Sequence, residues 1–148
     1  MKTNKYMILK EFENNLIHIV DLLGTKATDN IELYKLGKYI FNKRFIGVFA
    51  SNEIPNLKNN EICIINTDDK KGVHWCCLYK YENNIYFYDS FARSYKNLSK
   101  FWKNKKWINA NVNGRDQSIN YTDEMCGQIS MAYLTVFDKY KTQVMNII

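Results

Sequence analysis

The sequence predicts an α+β domain in which a mostly antiparallel central sheet is flanked by helices. Three observations carry this. Helical periodicity marks both ends of the chain, short runs of two-residue or continuous apolar character fill the middle, and turn clusters separate those runs at Asn59-Asn60, residues 68–72 and residues 82–84.

Taken in order, Ile8, Phe12, Leu16, Ile19 and Leu23 recur at helical spacing over residues 7–23, and Gly24 can adopt the left-handed conformation that closes a helix. Asp29 followed by Glu32 has the spacing of a capping box, with Leu33, Leu36 and Ile40 as the buried stripe of a second helix. Strands are expected at residues 45–49, 61–66, 73–80 and 85–90, a short helix at 96–102 and a further strand at 107–112. Beyond an irregular segment, Ile129, Ala132, Tyr133, Val136, Phe137 and Tyr140 mark a broad apolar face of a long helix, with Thr122 and Asp123 suited to its N-cap.

No repeat, linker or low-complexity tract divides the 148 residues, so a single domain over 1–148 is expected, with 46% apolar residues to fill its core. No apolar run approaches the ~18 residues of a membrane span, and the start of the chain lacks the pattern of a signal peptide, which points to a soluble protein of a cytosol-like compartment. The four cysteines (Cys63, Cys76, Cys77, Cys126) are expected to be reduced, because the adjacent pair points to opposite faces of any strand. No Cys-x-x-Cys spacing is present, so no metal site is expected although His74 and Cys76 would share a strand face.

The net charge of +6 is densest between Arg93 and Lys106. Such a stretch is either a solvated lysine-rich face or an attractor for an acidic partner or nucleic acid. Heavy use of Asn, Lys, Ile and Tyr also suggests an AT-rich genome, as in large DNA viruses, virus-like elements, protists or some bacteria.

A cysteine nucleophile needs a position that favours a thiolate, a histidine in hydrogen-bond reach and a third group to hold that histidine. Cys126 falls in the first turn of the expected last helix, where unpaired N–H groups and the helix dipole favour negative charge. Gly127, lacking a side chain, would leave the backbone beside the sulfur open to substrate. Of the two histidines, His18 lies inside the first amphipathic helix and reads as a surface or boundary residue, whereas His74 opens a strand.

If the strands at 73–80 and 85–90 pair as a hairpin with Lys80 facing Ile85, His74 lies opposite Phe91. Asp89 is then its diagonal neighbour on the same face, about 7 Å away along the backbone. Cys76, Leu78, Ile85 and Phe87 share that face as an apolar layer, with His74 and Asp89 at its open end. A carboxylate there would orient the imidazole and stabilise its cation. Acyl transfer also needs donors for an oxyanion, for which the Cys126 backbone N–H, Gln117 and Asn120 are candidates.

The segments 43–49 and 63–67, together with Gly72-Val73-His74-Trp75, Tyr88-Asp89-Ser90-Phe91 and Cys126-Gly127, resemble the adenain-like maturation proteases of adenoviruses, virophages and large DNA transposons. More distantly they are similar to the SUMO and NEDD8 deconjugating proteases. The resemblance spans residues 40–137 and rests on the order of the motifs. It implies a cysteine endopeptidase with a His74, Asp89, Cys126 triad at the start of a central helix and a glutamine in the oxyanion hole. Gln117, nine residues ahead of Cys126 and followed by Ser118, is favoured for that place, with Asn120, six ahead, as competitor. Trp75 and Gly127 are expected beside the substrate.

The resemblance further implies cleavage of precursor or capsid proteins next to small residues, particularly glycine, during particle maturation. The enzyme would be a monomer without a required cofactor, activated by DNA or a peptide, found in the cytoplasm or nucleus of an infected cell and packaged in a virion. Two alternatives stand beside it. One is a ubiquitin-like deconjugase or acyltransferase with the same triad; the other is a basic nucleic-acid-binding module that uses Trp102, Trp107 and neighbouring lysines.

Overall fold

Helix α1 (Lys5–Leu23) buries Ile8, Phe12, Leu16 and Ile19 along one face. It ends where Gly24, at φ 77°, donates its N–H to the Val20 carbonyl at 2.7 Å. The computed structural model describes residues 5–67 and 74–148. The expected turn at 68–72 and the expected first residue of the third strand, at 73, lie outside the described residues. Helix α2 (Asn30–Phe41) starts with the capping box read from the sequence: Asp29 accepts from the Glu32 N–H at 2.8 Å and donates its own N–H to Glu32 Oε1 at 3.1 Å. Leu33, Leu36 and Phe41 are its buried side chains.

Five strands follow in spatial order β1 (Phe45–Phe49), β2 (Ile62–Asn66), β3 (Trp75–Tyr81), β4 (Asn84–Tyr88) and β5 (Ile108–Asn109). The sheet is mixed. β2, β3 and β4 form an antiparallel core, but β1 runs parallel to β2 and β5 parallel to β4, which corrects the expectation of a mostly antiparallel sheet. The reason lies in the connections: residues 50–61 and 89–107 are long enough for the crossovers that parallel neighbours need, whereas β3 and β4 are joined tightly. In that hairpin Lys80 faces Ile85 as expected, and Tyr81 also pairs with Asn84. The turn is thus only Glu82-Asn83, both at positive φ (49° and 68°), the twist that suits a two-residue hairpin loop.

Side chains divide by strand periodicity into two layers. Ile62, Ile64, Trp75, Cys77, Tyr79, Tyr86 and Tyr88 pack against the helices. On the other face Cys63, Ile65, Cys76, Leu78 and Phe87 pack against Leu57, Tyr95, Trp102 and Trp107. The expected helix at 96–102 is two 3-10 turns, Tyr95–Asn97 and Lys100–Trp102, that close this second layer, and the expected strand at 107–112 shrinks to β5.

A short helix α3 (Gln117–Asn120) follows, capped by Asp116, whose side chain accepts from the Ser118 N–H. The last long helix, α4 (Cys126–Tyr140), begins later than Thr122 and Asp123 suggest, because Asp123–Met125 form a 3-10 turn first. Every residue from Cys126 to Leu134 is buried, since α4 lies between the sheet and α1 and is covered on all sides. Its far end is pinned by Asp138, which takes both Nη atoms of Arg44 (2.6 and 2.8 Å) and the Tyr79 hydroxyl (2.6 Å).

Candidate active site

The site is assembled where three elements end or begin. His74 immediately precedes β3, Asp89 immediately follows β4 and Cys126 is the first residue of α4. Since Cys77 pairs with Tyr88, continuing the register by one step sets Asp89 opposite Cys76 and leaves His74 diagonal to it on the same face. The side chains meet as that geometry requires: His74 Nε2 lies 2.5 Å from Asp89 Oδ1. Phe91, expected opposite His74, packs its ring against the imidazole with centroids 5.3 Å apart.

Cys126 closes the set from the helix side. Its Sγ accepts the Trp75 backbone N–H at 3.4 Å, which sets the sulfur beside His74, near enough for the two to interact electrostatically. With Nε2 committed to Asp89, the ring nitrogen left for the sulfur is Nδ1. Cys126 and His74 keep 7% and 8% of their surfaces exposed, while Asp89 is fully buried.

Charge in this cluster is arranged to hold an imidazolium. Burial works against the His74 cation, but the hydrogen bond it donates to Asp89, the neighbouring Cys126 sulfur and the charges of both outweigh it and raise the imidazole to about 9. Burial likewise opposes ionisation of Asp89, yet bonds from His74 and Arg93 keep its carboxyl below the ordinary value. The other three thiols are in a different situation. Cys63, Cys76 and Cys77 are free, fully buried and pushed up by burial, so they are poor nucleophiles.

Gln117 and Asn120 part company in the structure. Gln117 is buried; its N–H donates to the Ser90 carbonyl at 2.7 Å, its Oε1 accepts the Ser90 hydroxyl and its Nε2 donates to the Thr122 carbonyl at 2.5 Å. Among the described residues, the second hydrogen of that amide has no partner. Asn120 is exposed at the far end of α3.

The two residues expected beside the substrate are both tightly packed. Trp75 is buried in the core, and its indole N–H donates to the Thr28 carbonyl at 2.9 Å. Gly127 does not face open space: a Cβ there would come 2.1 Å from Thr28 Oγ1, 3.2 Å from Leu33 and 3.3 Å from Trp75. The missing side chain lets the segment between α1 and α2 pack onto the start of α4. His18 is exposed on α1. Trp102 and Trp107 are core residues at 0% and 9% exposure, which removes them as a nucleic-acid contact surface.

Several contributors carried no signal in the sequence. Arg93 grips Asp89 through its backbone N–H and Nε (3.0 and 2.8 Å to Oδ2). Asn111 clamps the Asp89 backbone, donating to its carbonyl at 2.6 Å and accepting its N–H at 3.4 Å.

Ligand atoms of His74, Cys76 and Asp89 lie within 4.8 Å of one another, close enough to share a metal ion. Both Asp89 oxygens are already bonded, and the Arg93 guanidinium beside them opposes a second cation, so the donor set fits a hydrogen-bonded ion pair better than a metal centre. Among the described residues no helix is long and apolar enough to cross a membrane. Comparison with protein-family models, curated proteins and solved structures finds no match.

Proposed function

We propose that this protein is a cysteine endopeptidase with Cys126 as nucleophile, His74 as base and Asp89 as the residue that orients the imidazole. The observation that carries this reading is the convergence of three side chains, distant in sequence, at the start of a buried helix. It also accounts for a buried carboxylate that would otherwise be a costly way to end a strand.

Before substrate binds, the Cys126 proton already resides on His74 as an imidazolium–thiolate pair, and the thiolate then attacks the substrate carbonyl. The oxyanion is received by the Cys126 N–H, which as the first of the helix has no partner within it, and by the remaining amide hydrogen of Gln117. His74 then protonates the leaving amine, and the same imidazole activates the water that hydrolyses the acyl-enzyme. Asp89 holds the imidazolium throughout without accepting its proton.

For the substrate, the motif resemblance supports viral or virus-like precursor proteins cut next to glycine. Exposed Lys96, Lys100, Lys103, Lys105 and Lys106 supply a surface through which DNA would act as activator. The test is cleavage of a glycine-containing peptide library by the wild type and by Cys126→Ala. Cleavage by the wild type and none by the variant, with unchanged circular dichroism, supports the reading; equal cleavage by both removes it.

A further inference from the structure

The carboxylate that faces His74 is shared. Asp89 Oδ1 meets the imidazole at 2.5 Å, while Oδ2 receives the Arg93 backbone N–H at 3.0 Å and its Nε at 2.8 Å. A third Arg93 donor, Nη2, stands 3.4 Å from Oδ1 itself. The chain reaches this position through a tight reversal in which the Ala92 N–H returns to the Asp89 carbonyl at 2.9 Å and Ala92 takes φ 60°. A side-chain-bearing residue in that conformation costs about 1 kcal/mol, so the loop gives up stability to bring Arg93 back onto Asp89.

The guanidinium also stacks over Phe91, 5.1 Å from the ring centroid, and Phe91 in turn covers the imidazole. Arg93, Phe91 and His74 thus form a column on the solvent side of the pair, with 45% of the Arg93 side chain exposed.

We propose that Arg93 is a positioning residue for the His74–Asp89 pair: it fixes which carboxylate oxygen faces the imidazole and draws part of the carboxylate's charge away from it. The inference rests on the protease reading for its purpose, because a base that must return its proton to a leaving amine is impaired if the carboxylate holds that proton too tightly. Two effects of Arg93 act in the same direction. Its positive charge repels the imidazolium, and its hydrogen bonds compete for Asp89. The other titratable groups around the pair, among the described residues, are Cys76 and Cys77 of β3, Tyr88 of β4 and Cys126 of α4, with Asp116 ahead of α3 acting on Arg93.

The test reads His74 directly, by NMR titration of histidine-labelled full-length protein, with the His74 signal assigned by its loss in His74→Gln. Arg93→Gln keeps a side chain of similar reach without charge, and Arg93→Lys keeps the charge without the two-point grip. The expected result is a His74 midpoint raised by about one pH unit in Arg93→Gln and by less in Arg93→Lys. The high-pH limb of kcat/KM should move with it, with kcat reduced more than KM is altered. A His74 midpoint that is unchanged or lowered in either folded variant overturns the proposal. A midpoint raised in Arg93→Gln, together with a wild type that cleaves no peptide, upholds the role of Arg93 on the pair and sinks the protease reading alone.

Discussion

Gln117 and Ser90 hold each other at two points. The Gln117 backbone N–H donates to the Ser90 carbonyl at 2.7 Å, and the Ser90 hydroxyl donates to the Gln117 side-chain oxygen. Because Ser90 follows Asp89 directly, the loop that delivers the carboxylate to His74 also orients the amide of Gln117. One turn of chain therefore fixes both the His74–Asp89 pair and the amide proposed as oxyanion donor.

A prediction follows for the two amides. Gln117→Ala should lower kcat by about 10²–10³ with little change in KM, the size of effect seen when one oxyanion donor is removed. Asn120→Ala, at an exposed site, should leave both constants unaltered. Steady-state kinetics on a glycine-containing peptide decide it, and the reverse ranking would transfer the role to Asn120.

The His74–Asp89 pair should also be visible in stability. The imidazole is raised from its ordinary 6.5 to about 9, so its stabilising contribution is whole below pH 6.5 and is lost as pH rises through about 9. The gap between the thermal midpoints of the wild type and His74→Gln should therefore narrow across that window. A gap of constant width from pH 6 to pH 10 would show that folding does not favour the protonated imidazole.

Gly127 gives a packing test. Gly127→Ala places a methyl group 2.1 Å from Thr28 Oγ1 and should destabilise the fold by about 1–3 kcal/mol in urea unfolding. Adding Thr28→Ala removes the clashing atom, so the double variant should recover much of the loss. Additive losses would mean that the two residues do not compete for the same space.

The parts of this structure that the sequence disclosed are those governed by local chemistry. The Asp29 and Glu32 capping box, the four buried residues of α1 and the register that sets Asp89 diagonal to His74 all follow from spacing alone. The parallel edges of the sheet were not legible, because β1 and β5 present ordinary strand patterns and only the long connections beside them hint at direction. The supporting residues of the site were less legible still. Nothing in the pattern around Ala92 announces a positive φ, yet that angle brings Arg93 onto Asp89. Asn111 reaches Asp89 from a different connection, and Gly127 looks the same in sequence whether its open side meets substrate or Thr28.

The central claim is that Cys126, alone among the four thiols, is activated by His74. Its most direct test is limited labelling of the native protein with a peptide-like electrophile, followed by mapping of the modified cysteine in the wild type and in His74→Ala. The expected result is modification of Cys126 only, slowed by about 10² or more without His74. Modification of Cys63, Cys76 or Cys77 at a comparable rate, or labelling of Cys126 that is indifferent to the loss of His74, would contradict it.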